Sequence, residues 1–201
     1  MNLGKRLRMY YPARSPMNYE ELDEITRRIM LEEFEAEEAG AIPPYRGTNM
    51  TPTGRAAFPG LMREAIIHGN GETLAASLKN PEYWFSKGGV VRQRNIDYND
   101  EAARLGLTEF NTWYVRGLAK RLMDEGEREC QIYRAAYPKT GLSNCPLQEG
   151  AIVALELVYK GHRAKYWPSR NPTAFSIPAG PNCHHTIRRI PKKSVSNDLA
   201  A

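Results

Sequence analysis

Apolar residues along the chain recur first at helical spacing and then, past residue 126, at a spacing of two, a switch that divides the sequence into a helical part and a β part. Leu22, Ile25, Ile29, Met30 and Phe34 mark a first amphipathic helix. Asn18 is its expected cap, Glu21 forms a near capping box with it, and Gly40 is its stop. Glu32, Glu33, Glu35, Glu37 and Glu38 crowd the C-terminal end of this helix, where the dipole disfavours negative charge, so a basic neighbour is expected there. Residues 41–60 contain Ile42-Pro43-Pro44-Tyr45-Arg46-Gly47 and Thr51-Pro52-Thr53-Gly54, and read as a linker or long ordered loop. Helical spacing returns through Leu61, Ala65, Leu74 and Leu78; Gly69-Asn70-Gly71 splits or bends that segment, and Asn80-Pro81 ends it.

The best-defined helix runs from about Asp97 to Glu125. In its latter part, from a cap at Thr108, Phe110, Tyr114, Leu118 and Leu122 repeat at steps of four beside Trp113, until Gly126 stops it. Cys130, Ile132 and Arg134 then alternate with Gln131, Tyr133 and Ala135, and the β-branched apolar run from Ile152 to Tyr159 reads as a further strand. These patterns predict an α+β protein: a mainly helical N-terminal half with an extended arm, and a small loop-rich β lobe packed on a long helix in the C-terminal half. The expected divisions are an arm over 1–17, carrying Tyr10-Tyr11-Pro12 and Ser15-Pro16, a helical region over 18–90, an α+β domain over 91–190 and a flexible tail over 191–201.

Composition narrows the classes. At 201 residues the chain can bury a real core, and its 14 prolines and 16 glycines cluster in irregular connections. The longest apolar run, Ala151 to Val158, is far too short to span a bilayer, and Lys5-Arg6-Arg8 is not followed by the apolar stretch of a secretory signal, so no membrane is expected. Cys130, Cys145 and Cys183 are too few for a disulfide scaffold, which favours a reduced cytoplasm.

The net charge of +5 is unevenly placed. Between Glu156 and Asp198 there is no acidic residue, whereas Lys160, Arg163, Lys165, Arg170, Arg188, Arg189, Lys192 and Lys193 fill the interval. Such a positive field suits nucleic acid or an acidic protein surface; a solvated basic face without a partner is the plainer reading. For partner docking, the aromatic residues Tyr10, Tyr11, Tyr45, Tyr83, Trp84 and Phe85 stand out, although the last three also suit the protein's own core.

Near the C-terminus, Pro178, Gly180 and Pro181 force an extended, tightly turned approach that presents Cys183, His184 and His185 at one place. Cys145 and His162 sit in segments that could converge there, making Cys145, His162, Cys183 and His185 a candidate set of structural zinc ligands. The spacing matches no standard zinc module. In the alternative Cys183 is a small buried apolar residue and the histidines are hydrogen-bonded or exposed, the commoner outcome for irregularly spaced candidates, so no cofactor is expected. A Cys-His nucleophile lacks an orienting third group, and a metal nuclease using Asn182, His184 and His185 lacks clustered carboxylates.

Three features follow in fixed order: Leu107-Thr108-Glu109-Phe110-Asn111 opening into a helix, the strand Glu129 to Arg134 followed by Cys145-Pro146 and Glu149-Gly150, and the terminal Pro178-Ala179-Gly180-Pro181-Asn182-Cys183-His184-His185. This order resembles the MuF-type phage head morphogenesis (minor capsid) family. There a Thr-Glu-x-Asn helix precedes a strand, a cysteine-containing turn with a following glycine, and a terminal Pro-x-x-Pro-x-Cys-Arg-Cys motif. The likeness covers roughly Asp97 to Ile190. Paired cysteines are replaced here by a lone Cys145 and by Cys183 with His185, which weakens a metal role. The resemblance implies an architectural virion protein without enzymatic activity, present in the host cytoplasm during assembly, whose partners are capsid or portal proteins and packaged DNA. A DNA-binding or metal-dependent nuclease protein is the alternative.

Overall fold

The computed structural model describes residues 16–85, 98–136, 148–180 and 183–191. Its first helix, α1 (Glu24–Glu38), is capped by Asp23 and not by Asn18: the Asp23 carboxylate accepts the Thr26 N–H at 2.9 Å. The Asn18 N–H instead donates to the Ala135 carbonyl at 2.8 Å, because the chain before the helix runs past Tyr133 and Tyr114, whose hydroxyls accept the Glu20 and Glu21 N–H groups. Ile29, Met30 and Phe34 are buried as their spacing demands, whereas Ile25 is 47 % exposed.

Helix α2 (Pro52–His68) begins inside the stretch read as loop. Thr51 caps it, accepting the Gly54 N–H at 3.1 Å, and Pro52 sits in the first turn, where its missing N–H costs nothing. Pro59 lies inside the same helix, a position that usually breaks it; Phe58 and Met62 are fully buried on either side and hold the segment helical. Helix α3 (Gly71–Ser77) follows with a capping box between Asn70 and Thr73, so the Gly69-Asn70-Gly71 interruption separates two helices. A short 3-10 turn at Pro81–Tyr83 leads to Trp84, which pairs with Met50 in an isolated antiparallel bridge.

Helix α4 (Tyr98–Asp124) is one continuous rod of 27 residues. Thr108 therefore caps nothing; it lies mid-helix, and its carbonyl accepts the Thr112 hydroxyl at 2.9 Å. Residues 109–119 are buried without a break, since α1, α3, α5 and the sheet all pack around this rod. That explains why its apolar residues do not form a single stripe.

Strands β1 (Glu129–Arg134), β2 (Ile152–Ala154) and β3 (His185–Arg188) form an antiparallel sheet in the order β2-β1-β3, with Cys130 opposite Val153 and Ile132 opposite Ile187. The strand expected from Ile152 to Tyr159 ends after three residues. Helix α5 (Leu155–Lys165) replaces it, because Leu155, Val158 and His162 fall on one helical face that packs against α4. The protein is thus a helix-rich α+β fold with one core shared by both halves: Tyr19, near the N-terminus, packs on Phe110 and Tyr114 of α4, with ring centroids 5.4 and 4.7 Å apart. No described helix is long and apolar enough to cross a membrane. Of the arm expected over 1–17, residues 1–15 lie outside the described residues, whereas Met17 is buried in the core and its N–H donates to Glu72 at 2.8 Å; of the tail expected over 191–201, residues 192–201 lie outside them.

A candidate ligand cleft beside the long helix

The acidic end of α1 finds the basic neighbours its dipole calls for. Arg116 of α4 bonds Glu33 at 2.7 Å and Glu37 at 2.8 Å, Arg63 pairs with Glu35, Arg46 with Glu38, and Arg163 of α5 lies against Glu37. Tyr159 adds a hydroxyl to Glu33 at 2.8 Å. Burial lowers the Arg163 guanidinium to a pKa of about 10.

Further along α4, Glu101, Arg104, Leu105, Thr108 and Glu109 recur at intervals of three and four and so share one face. Opposite them stand His162, Tyr166, Trp167 and Arg170 from the end of α5 and the chain after it, with Tyr45, Gly47, Thr48, Asn49 and Trp84 closing the sides. The result is a cleft of ≈ 380 Å³. The Trp167 indole N–H donates to the Pro43 carbonyl at 2.9 Å, its ring lies 6.3 Å from that of Tyr45, and the Tyr166 hydroxyl donates to the Ala179 carbonyl. Arg170 has a positive φ of 52°, rare for a residue with a side chain, and its guanidinium sits 6.0 Å over the Trp167 ring.

Glu109 and His162 face each other inside this cleft, with Oε1 and Nε2 3.9 Å apart and side-chain exposures of 4 % and 9 %. Burial pushes the Glu109 carboxyl up to about 8, and burial together with the Arg116 charge pushes His162 down to about 4. Both shifts favour the uncharged form near neutral pH. The carboxylic acid can donate and accept, and so can the imidazole.

Other expected site residues are placed differently. Cys145 lies outside the described residues, and among those described no group of three or more His, Cys, Asp or Glu could hold a metal ion. His162 is committed to the cleft, while Cys183 Sγ stands 3.9 Å from His185 Nδ1, whose Nε2 reaches Glu149 at 3.4 Å. Glu149 is itself claimed by Arg134 at 2.8 Å. The three described candidates, His162, Cys183 and His185, thus form no metal-holding group, since Cys183 and His185 turn to each other and to Glu149 while His162 faces Glu109. Asn182 lies outside the described residues.

The aromatic trio does not act as a unit. Trp84 is core, 8 % exposed, with its indole N–H donating to the Leu78 carbonyl at 2.8 Å. Tyr83 is half-buried against that core, Tyr45 forms a wall of the cleft, and only Phe85 projects, at 51 % exposure. Tyr10 and Tyr11 are outside the described residues.

The basic run is largely offset by carboxylates, most of them distant in sequence. Arg188 bonds Glu20 at 3.0 Å, Arg189 pairs with Glu21, Glu125 and Glu127, Arg163 with Glu37, and Lys160 with Glu156 at 3.3 Å. Lys165 and Arg170 lie over the Tyr166 and Trp167 rings. Lys192 and Lys193 are outside the described residues. Among the described residues the run does not make an unbroken positive face, since counting charges along the chain misses partners supplied by the fold.

The Thr108-Glu109-Phe110-Asn111 segment serves two sides of α4. Thr108 and Glu109 line the cleft, whereas the Asn111 amide donates to the His185 carbonyl at 2.9 Å in a buried contact that ties β3 to the helix. Glu109 escaped the sequence reading as a site residue, although a carboxylate one position before Phe110, on the turn that buries Phe110 and Trp113, was a usable signal. The fold and cleft together define a helix-rich α+β protein with a small sheet clamped on a central helix. Comparison of the chain with protein-family models, curated proteins and solved structures finds no match.

Proposed function

We propose that this protein is an architectural component of a phage virion, a minor capsid or head morphogenesis protein that docks on capsid or portal subunits and assists head assembly or stability. The observation that carries the reading is the buried Asn111–His185 bond, which joins the first and last of the three ordered motifs into one rigid lobe. Around it a single core runs from Met17 to Ile187, a construction suited to an adaptor that holds its shape under load. The protein acts by docking: the arm at the start of the chain and the folded loop before α2 seat against a neighbouring subunit, with the exposed Ile42 and Phe85 as apolar contacts. It resides in the host cytoplasm during assembly and in the virion afterwards.

Packaged DNA is a secondary partner at most, because Arg163, Arg188 and Arg189 already hold carboxylates and would have to exchange them for phosphate. Mass spectrometry of purified particles, with stoichiometry, tests the proposal. A few copies per particle are expected, and an arm-deleted variant should fold but fail to enter. Absence from both mature particles and assembly intermediates would refute the virion role.

A further inference from the structure

We propose that the cleft between α4 and α5 binds a nucleoside 5′-phosphate, with the base inside against Glu109 and His162 and the phosphate at Arg170 on the lip. The inference goes beyond the architectural role and rests on the cleft alone.

Its volume of ≈ 380 Å³ falls within the range of small-ligand sites, roughly 300–1,000 Å³. Its interior is not a plain apolar hole. The Glu109 carboxyl makes no hydrogen bond among the described residues, and His162 stands off at 3.9 Å, beyond hydrogen-bonding reach. Both groups line the cavity without a side-chain hydrogen bond to each other, so a ligand entering it can bond the two together. A neutral acid beside a neutral imidazole offers donors and acceptors side by side. The edge of a nucleobase presents the complementary arrangement, and its exocyclic and ring atoms lie in one plane.

The walls agree with a flat ligand. Tyr45, Trp84, Tyr166 and Trp167 surround the space with ring faces and edges, and aromatic side chains take any base by stacking. At the lip, Arg104 is engaged by Glu101, but Arg170 has no carboxylate partner among the described residues. Arg170 is exposed, lies over the Trp167 ring and sits on a left-handed backbone, which leaves its charge at the lip open to an anion. A planar hydrogen-bonding body linked to an anion satisfies the interior and the lip together. A phenylalanine-like side chain would leave Glu109 and His162 buried and unpaired, and a metal ion would require the carboxyl to ionise with no third protein ligand at hand.

The same chemistry arises from a free nucleotide or from the phosphorylated end of a single DNA strand. Titration calorimetry of the intact protein with the deoxynucleoside 5′-monophosphates, the matching nucleosides and a 5′-phosphorylated single-stranded oligonucleotide separates them. Saturable binding of at least one monophosphate is expected. Trp167→Ala should weaken it roughly ten- to hundred-fold through lost stacking. Arg170→Ala, at an exposed position that leaves the core intact, should weaken the nucleotide about tenfold while leaving the nucleoside unchanged. Stronger binding of the strand than of its terminal nucleotide assigns the site to a DNA end; equal binding assigns it to free nucleotide. No saturable binding of any monophosphate, or an unchanged affinity in Arg170→Ala, overturns the proposal. Particle stoichiometry decides the virion role separately, so either result can fail without the other.

Discussion

Gly106→Ala should destabilise the protein even though alanine is the better helix former. Gly106 lies in the middle of α4, where the replacement alone would gain about 1 kcal/mol of helix propensity. The Cβ it adds would stand 2.6 Å from the Ala75 main-chain nitrogen, 2.7 Å from its Cα and 2.9 Å from its Cβ. Two of these atoms belong to the backbone of α3, which cannot rotate away, so the helices must separate. Ala75→Gly would remove only the third contact and rescue little. Overpacking of this kind costs roughly 1–3 kcal/mol, and main-chain contacts this close place it at the upper end, leaving a net loss of about 2 kcal/mol. Gly60 provides the opposite control. It is exposed on α2 with nothing within 4 Å of an added Cβ, so Gly60→Ala should gain about 1 kcal/mol. At roughly 2–4 °C per kcal/mol for a chain of this size, thermal unfolding should show Tm lowered by about 4–8 °C in Gly106→Ala and raised by about 2–4 °C in Gly60→Ala. A Gly106→Ala protein that melts at or above the parent would refute the close approach of α3 and α4.

Stability should also fall as pH rises from 6.5 to 8. The Glu109 carboxyl titrates at about 8 when folded against an ordinary 4.5, so the unfolded chain gives up its proton first and stability declines with pH across that interval. His162, at about 4 against 6.5, acts in the opposite sense below 6.5, and the two slopes offset each other there. The uncompensated slope above 6.5 is at most about 1.4 kcal/mol per pH unit; denaturant titrations at several pH values should find it in the parent and not in Glu109→Gln, and an equal slope in both would remove Glu109 as its cause. Asn111→Ala leaves the buried His185 carbonyl without its side-chain donor and should cost about 1–3 kcal/mol in the same assay. Unchanged stability would mean that this bond does not hold β3 on α4.

Periodicity was a good guide where the partner of a helix face did not matter. The long helix around Tyr114 and the alternation from Cys130 to Ala135 were both readable, since apolar spacing of four or two has few alternative readings. The acidic tail of α1 likewise announced a basic partner, although not which one. Propensity misled at Pro52, where prolines suggested a loop and a capped first turn accepted one, and at Leu155, where a β-branched run became α5. At Pro52 the first helical turn tolerates the missing N–H, whereas at Leu155 burial against α4 outweighed local preference, a difference of about 1 kcal/mol per residue at most.

The cleft was not legible at all. Glu109 and His162 are 53 positions apart, and only the packing of α5 on α4 sets them face to face and strips away the water that would ionise one of them. The basic run shows the same division from the other side: its charges were written in the chain, but whether they remained available was settled by Glu20, Glu21, Glu37, Glu125 and Glu127 folding against them. Linear order carries the chemistry of each side chain and the period of each element. Which groups lose water, and which charges meet, depends on distances that exist only after the helices close around α4.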